Sequence, residues 1–280
     1  MSMTYPGFTG EGADVRLAEP ETEIVDLISN PRRTGTLAAN LKACLNAAYA
    51  VRNLVSADTR RVFNDIGDEL AVLAQGGHSD LQYLQDVQDR IITALMAIAG
   101  ATSESMSRDL GWHFLNLGRR IEQALLLIAL MRAVLIFRVP PEVELLVLQS
   151  VLAAAESFTL YRRRYRNQPQ LETTVDLLLL DESNSRSLVY QLNAARQHLT
   201  MLPGQESRPY KKEMRRLIEA ATLLKLANVD DLVNADEDMR GQLENLLAGL
   251  GQSLAEVSDA VTATYFTHAE RPYQLVDEEL

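Results

Sequence analysis

The sequence predicts an all-α protein, folded as an elongated multi-helix bundle of seven to nine helices, and three observations lead to this prediction. Ala and Leu dominate, while aromatic residues make up only 6% of the 280-residue chain, a composition that favours helix over strand. Every apolar periodicity follows steps of three and four residues. No stretch alternates as a strand does. With 47% hydrophobic residues, the chain has enough apolar side chains for a sizeable core.

The longest periodic stretch, 107–138, predicts a central helix. Ser107 is the expected N-cap, and the pair Pro140 and Pro141 ends the helix. The apolar run within it, 124–137, is interrupted by Arg132 and is shorter than the roughly 18 residues that a membrane helix needs. We therefore expect a buried core helix and no membrane segment.

On a helical wheel, Gly111 and Gly118 share one face of this helix, where we expect a second helix to approach closely. Glu122 falls on the glycine side. A partly desolvated carboxylate requires a cationic partner, so we expect it to pair with Arg119 or with an arginine from another helix. The polar residues on the opposite face are His113, Asn116, Arg120 and Gln123.

The remaining elements follow from periodicity, caps and breakers. We expect a flexible lead at 1–23, one helical domain at 24–268 and an acidic tail at 269–280. Thr36 is the expected N-cap of the helix that follows it. The predicted segments besides the central helix are 24–28, 37–55, 58–75, 80–98, 142–167, 171–180, 188–202, 208–227 and 237–268. A short segment, a polar loop and a hydroxyl-led helix occur at both 25–43 and 175–194, which suggests a faint internal duplication.

Charge and cysteine content exclude several classes of protein. The net charge is −11, with acidic ends around a mildly basic middle, which argues against nucleic-acid binding. Cys44 is the only cysteine, so neither an intrachain disulfide framework nor a thiolate zinc site is possible. A single cysteine and no recognisable signal peptide are consistent with a cytoplasmic protein.

No local motif for catalysis, metal binding or nucleotide binding is present. None of the four histidines has an acidic residue three positions away, so the Glu-x-x-His spacing of di-iron bundles is missing. The nucleophile elbow, the P-loop and the dinucleotide fingerprint are also missing. The sequence therefore predicts no metal and no cofactor.

Two polar clusters stand out as candidate binding residues. The first precedes the apolar half of the central helix, and the second forms a loop before a helix. For the second, one interpretation is a helix–loop–helix connector with Asx turns and a serine cap. The other is an anion site made by an arginine and free amides at a helix N-terminus. The first cluster is Trp112, His113, Arg119, Arg120 and Glu122, and the second is Asp181, Asn184 and Arg186 with Ser187.

Both clusters resemble signatures of the alpha-E family, a bacterial all-helical domain. Residues 112–122 are similar to the family's aromatic-His-Phe before Leu-x-Leu-Gly-Arg and a Glu, and residues 178–187 are similar to its Leu-Leu-Leu-Asp-x-x-Asn-Pro-Arg-Ser. A third likeness covers 37–64. Two positions depart from the family pattern: Gln123 stands where an Arg is expected, and Ser185 replaces a Pro.

The resemblance implies a setting beside circularly permuted ATP-grasp proteins, in ATP-dependent amide-bond formation on a peptide or amino acid. Three hypotheses follow. The chain is a non-catalytic helical partner or scaffold of such a ligase, an enzyme that uses Glu122 with Arg119 and Arg186, or a purely structural bundle. Glu122 clustered with Arg186 in an open cleft would favour the enzyme.

The family also has an earlier Trp-Leu-Gly-Arg-x-x-Glu-Arg helix that residues 1–23 do not match. A bundle without that helix is expected to expose an apolar groove lined by Leu41, Leu45 and Leu95. We therefore expect association with an ATP-grasp partner or as a homodimer.

Overall fold

The computed structural model of the chain describes residues 18–74, 81–205 and 210–266. These residues form 12 α-helices and one 3₁₀ helix, Arg52–Leu54, and hold no strand, which confirms the all-α prediction, although the predicted number of seven to nine helices was too low. The helices are α1 Pro20–Ser29, α2 Leu37–Ala50, α3 Ala57–Ala74, α4 Leu81–Ser105, α5 Leu110–Val134, α6 Pro141–Ala154, α7 Phe158–Tyr165, α8 Leu171–Leu179, α9 Leu188–Thr200, α10 Lys212–Lys225, α11 Val229–Val233 and α12 Gly241–Tyr265.

The chain divides into two compact units, Met1–Ser107 and Arg108–Leu280, where the sequence predicted a single bundle. Each unit has its own cluster of buried apolar side chains. Helical periodicity identifies which residues of a helix face inward, but it does not say which helices share a core. The sequence pattern therefore could not predict the division into two units.

The first described helix begins at Pro20, inside the segment predicted as a flexible lead. Proline suits the first turn of a helix, and Glu21 and Glu23 in that turn complement the positive end of the helix dipole. Glu23 is buried and its carboxylate lies 2.8 Å from the guanidinium of Arg33. Residues 20–23 thus belong to the first unit. The remainder of the predicted lead, up to residue 17, lies outside the described residues.

The core of the first unit is formed by α2, α3 and α4. Leu41, Ile66 and Val87 are among its buried side chains. Leu41 is only 6% exposed, so it does not line an open groove as predicted, because it is part of this core. Leu45 packs against the same core, and Leu95 is 37% exposed.

Helix α5 is the central helix of the second unit. It starts later than predicted, because the carboxylate of Asp109, and not the hydroxyl of Ser107, accepts a hydrogen bond from the Trp112 amide at 3.2 Å. Both residue types cap helices well, and they are two positions apart. The helix also ends earlier, at Val134, before residues 135–140 continue without helix.

The side of α5 that meets another helix differs from the prediction. Gly118 is exposed, and a Cβ added there would meet no heavy atom within 4 Å. Helix α9 instead packs against the side that carries His113 and Arg120. The expected close approach at Gly118 is therefore wrong. A wheel shows which residues share a face, but longer polar side chains also serve in helix contacts.

The predicted helix 142–167 is broken into α6 and α7, which meet at a bend of 116°. Glu156 adopts a left-handed conformation with φ 51°, and the Ser157 amide donates to the Leu152 carbonyl at 2.8 Å. A left-handed residue followed by such a backbone bond is a typical helix C-terminus. The next helix then starts at Phe158.

Two helix starts share one hydrogen-bond pattern and support the suspected duplication. Thr36 and Ser187 cap α2 and α9, accepting from amides three residues later at 3.2 Å in both cases. The Thr36 hydroxyl donates to the Asn30 carbonyl at 2.5 Å, and the Ser187 hydroxyl donates to the Asp181 carbonyl at 2.7 Å. Each carbonyl lies six residues before its cap. In both places a short helix, a polar loop and a capped helix follow in order.

Candidate functional site

The loop between α8 and α9 is held by its own polar side chains. The Asp181 carboxylate accepts from the Ser183 amide at 2.9 Å, and the side-chain oxygen Oδ1 of Asn184 accepts from the Arg186 amide at 3.0 Å. These are the two Asx turns that the sequence predicted. Asp181 also pairs with the guanidinium of Arg164. The loop is therefore a built connector between two helices.

Asn184 has a structural role in this connector. It is 2% exposed, and its amide group donates to the Leu177 carbonyl at 3.0 Å and to the Ser157 hydroxyl at 3.3 Å. One side chain thus ties the loop to α8 and to the break between α6 and α7. Asn184 therefore fits the first of the two interpretations of this cluster, a helix–loop–helix connector.

Arg186 has a different environment from its neighbours in the loop. Its guanidinium pairs with the carboxylate of Glu156, the left-handed residue between α6 and α7. The Arg186 side chain is 40% exposed and that of Glu156 is 67% exposed. A pair this open to solvent contributes little to stability, so the arginine remains accessible to a competing anion.

The first polar cluster extends along α5. The Arg108 guanidinium stacks on the Trp112 ring, 3.7 Å from its centroid. At the next residue of α5, the Nδ1 atom of His113 lies 3.2 Å from that of His198 on α9. Burial, followed by the charges of His113 and Arg120, lowers the pKa of His198. The histidine pair therefore lies in a positively charged neighbourhood.

Arg120 crosses from α5 towards α9. Its Nη1 donates to the side-chain oxygens of Gln123 at 3.2 Å and Gln191 at 3.3 Å, and its guanidinium lies over the Tyr190 ring at 5.6 Å. Burial is the main cause that lowers the pKa of Arg120, and the charges of Arg119 and Arg186 lower it further. Three arginines of the two predicted clusters therefore share one electrostatic environment.

A cleft of about 250 Å³ lies beside this arrangement. Gln123 and Gln191, the two acceptors of Arg120, line one part of it, and the pair of Arg186 and Glu156 lines another. The remaining lining is aliphatic. The aliphatic residues are Leu126, Leu127, Leu130, Ala154 and Ala155.

The structure brings only some of the predicted site residues to this cleft. Arg186 lines it, and Arg120 contacts two residues that line it. Arg119 and Glu122 are half-buried and are not among the lining residues. The pairing of Glu122 with an arginine stays a prediction.

Sequence reasoning missed Glu156, Gln191 and His198 as members of this region. Glu156 looks like an ordinary helical glutamate in the sequence, because nothing marks it as left-handed. Gln191 and His198 lie 71 and 85 residues from their partners on α5. Only the serine cap at the start of α9 indicated where that helix begins.

The first unit holds a larger cleft, of about 480 Å³, between α3 and α4. Asp65, Glu69 and Asp89 line it, and Arg90 there pairs with Glu69 at 2.7 Å. None of the described residues forms a group of three His, Cys, Asp or Glu side chains fit to hold a metal ion. Among the described helices, no single one is both long and apolar enough to cross a bilayer, and α6 with α7 passes only as a bent pair.

Comparison with known proteins gives the chain its family. The sequence model of the Alpha-E family, "a predicted alpha-helical domain with a conserved ER motif", matches residues 6–266. The match includes most of the stretch 1–23 that we had placed outside the helical domain. Within the match no Glu is followed by Arg, and Gln123 follows Glu122.

Two longer proteins are similar to this chain. "Uncharacterized protein Rv2567" of Mycobacterium tuberculosis and "Uncharacterized protein Mb2597" of Mycobacterium bovis are each 33% identical to it over 271 residues. The alignment covers 93% of this chain but only 30% of either relative, so the chain spans about a third of their length. No solved structure matches. The extent of the family match, over nearly the whole chain, shows that this protein belongs to the Alpha-E family.

Proposed function

We propose that this chain is a non-catalytic helical partner, or scaffold, of an ATP-grasp-type peptide or amino-acid ligase. The observation that carries the proposal is a second apolar stripe on α4, which lies beside the core face of the helix and is exposed. Ile92, Leu95 and Met96 are exposed by 53%, 37% and 70%. They follow the i, i+3, i+4 spacing that places residues side by side on a helix.

A helix at the surface of a folded unit normally has one apolar face. On α4 that face is provided by Leu84, Val87 and Ile91, which are buried in the core of the first unit. A second, exposed stripe has no role in that core. Adjacent exposed apolar side chains are typical of a protein interaction site, and a helix in a groove is one common form.

The length of the relatives supports a role beside other domains. The aligned region is about 30% of each mycobacterial protein, so in them the helical domain is joined to a much longer remainder. A domain that is part of a longer chain works next to the other domains of that chain. The proposal assigns the same relationship to this protein, with the ligase as the neighbour.

The alternative enzyme hypothesis would be favoured if Glu122 met Arg186 in an open cleft. Arg186 lines the cleft of the second unit, but Glu122 is not among the lining residues. The carboxylate that meets Arg186 is that of Glu156. No observation therefore favours Glu122 as an acid or base, and the purely structural bundle remains the outcome if no partner binds.

Co-purification tests the proposal. The chain is tagged and co-expressed with the ATP-grasp protein encoded nearest to its gene, and the amount of captured ligase is measured. We expect capture that Met96→Glu and Ile92→Glu each reduce at least tenfold. The matched control is Leu146→Glu on α6, a leucine that is 62% exposed in the other unit.

Equal capture by all three variants would contradict the role of α4, and failure of the wild-type chain to capture the ligase would reject the partnership. Sedimentation of the isolated chain tests the alternative that the chain forms a homodimer. A dimer that Met96→Glu dissociates would assign the α4 stripe to a second copy of this chain instead of a ligase.

A further inference from the structure

Arg120 is a half-buried cation whose described partners are all neutral. Its two acceptors are glutamine side chains, and its Nε is buried with no hydrogen-bond acceptor among the described residues. Buried arginines are normally paired with carboxylates, because an uncompensated charge away from water is unfavourable. The guanidinium therefore contributes positive potential to its surroundings.

The surroundings add positive charge. Arg119 and Arg186 both act electrostatically on Arg120. Among the described residues that line the adjacent cleft, Glu156 provides the only carboxylate, and it is opposed there by Arg186. The cleft and the layer behind it therefore carry an excess of positive charge, which favours an anion.

Glu156 shows what kind of anion fits. Its carboxylate already binds the Arg186 guanidinium at the rim of the cleft, from an exposed and left-handed position. Planar guanidinium and planar carboxylate match as two parallel hydrogen bonds. Because Glu156 is 67% exposed, it gives up little packing when another carboxylate replaces it.

The rest of the cleft fits an aliphatic group. Leu126, Leu127 and Leu130 line it together with Ala154 and Ala155. Its volume of about 250 Å³ is below the range of roughly 300–1,000 Å³ for drug-sized ligands. A cleft of this size accommodates one residue at the end of a peptide.

We infer that this cleft binds the terminal carboxylate of a peptide or amino acid with an aliphatic last side chain. Arg186 binds the carboxylate of the peptide, and Arg120 adds positive potential behind Gln123 and Gln191. When the cleft is empty, the carboxylate of Glu156 pairs with Arg186 instead. The inference goes beyond the ligase partnership and does not depend on it, since binding is a property of the isolated chain.

Calorimetric titration of the full chain tests the site. The probe is N-acetyl-alanyl-leucine with a free carboxylate, compared with its C-terminal amide, inorganic phosphate and octanoate. We expect the free peptide to bind and the amide to bind at least tenfold more weakly, because a hydrogen-bonded charge pair is lost. Affinity should also fall as salt is raised from 50 to 500 mM.

Three variants separate the roles of the charges. Arg186→Gln should weaken peptide binding at least tenfold. Glu156→Gln should strengthen it severalfold, because the competing carboxylate is removed. The matched control, Arg163→Gln, changes an exposed arginine on α7 that does not line the cleft, and it should leave affinity unchanged.

Several outcomes would overturn the inference. These are equal binding of the acid and the amide, tighter binding of phosphate or octanoate than of the peptide, no binding of the peptide at millimolar concentration, or weaker binding after Glu156→Gln. Each of them leaves the co-purification result untouched, so the two proposals fail separately.

Discussion

The Nδ1 atoms of His113 and His198 lie 3.2 Å apart across the interface between α5 and α9. At this distance one ring nitrogen donates a proton and the other accepts it, so the pair holds together only while one of the two Nδ1 atoms is unprotonated. Burial, followed by the nearby His113 and Arg120, disfavours the charged form of His198 and so lowers its pKa.

The first prediction concerns the dependence of stability on pH. Because the pKa of His198 is lowered in the folded state, the unfolded chain binds its proton more readily below the ordinary value of about 6.5. The stability is therefore fully present above that pH and is lost as the pH falls below it. We expect His198→Gln to lose less stability than wild type between pH 7.5 and 5.5, measured by urea unfolding. Equal losses would contradict the role of His198.

The second prediction concerns Arg240, which joins the end of α5 to the start of α12. It is 5% exposed, and its Nη1 donates to the carbonyls of Leu135 at 2.8 Å and Phe137 at 3.1 Å. Nη2 donates to the Glu144 carboxylate at 3.3 Å. Removing the guanidinium leaves these acceptors without a donor. We expect Arg240→Ala to lower the free energy of unfolding by about 2–4 kcal/mol.

The control for Arg240 is Arg138→Ala, because Arg138 is exposed and lies in the segment 135–140, whose carbonyls Arg240 contacts. It should change the stability by less than about 0.5 kcal/mol. If the two variants unfold at the same urea concentration, the contacts of Arg240 are not important for stability.

The third prediction compares an arginine inside α7 with the arginine that caps its C-terminal end, because the two have different backbone conformations. Arg166 is the left-handed C-cap of the helix, with φ 56°, and Arg163 lies within the helix. Glycine adopts the left-handed conformation without strain but weakens a helix interior. Arg166→Gly should therefore stabilise the protein by about 1 kcal/mol, and Arg163→Gly should destabilise it by about 0.5–1 kcal/mol. Changes of the same sign in thermal unfolding would contradict this explanation.

The fourth prediction distinguishes structure from binding at Asn184. Its side chain makes three hydrogen bonds, to Arg186 in the connector, to Leu177 of α8 and to Ser157 between α6 and α7. Asn184→Ala should lower the free energy of unfolding by about 1–3 kcal/mol, because it leaves the buried Leu177 carbonyl and Ser157 hydroxyl without a donor. Ser185→Ala, at an exposed neighbour, is the control. Unchanged stability of Asn184→Ala would show that the connector does not need this residue.

Helix type and caps were predictable because their chemistry is local. Thr36 and Ser187 cap helices as expected, since a hydroxyl before an apolar-periodic stretch binds amides only three residues away. The same rule pointed to Ser107 where Asp109 is the cap, because both residues offer an acceptor within two positions. The break at Glu156 had no signal at all, as a glutamate rarely adopts a left-handed conformation.

The candidate site was predictable only in its loop. The Asx turns of Asp181 and Asn184 involve neighbours two residues away. By contrast, Arg120 meets Gln191 across 71 residues, and His113 meets His198 across 85. Residues that meet between two helices have no fixed sequence spacing, so the sequence does not reveal such pairs. A wheel of α5 correctly grouped His113 with Arg120, but it did not show that another helix would cover them.

The pair of Arg132 and Glu244, which joins α5 to α12, has a consequence for synthesis of the chain. The two residues are 112 positions apart, while the comparable pair in the first unit, Arg90 and Glu69, is separated by 21. Contacts of low sequence separation form soon after a segment leaves the ribosome. The helices of the first unit therefore meet their partners early. The part of α5 that α12 covers stays exposed until the last described helix has been made, so we expect the second unit to complete its folding later than the first.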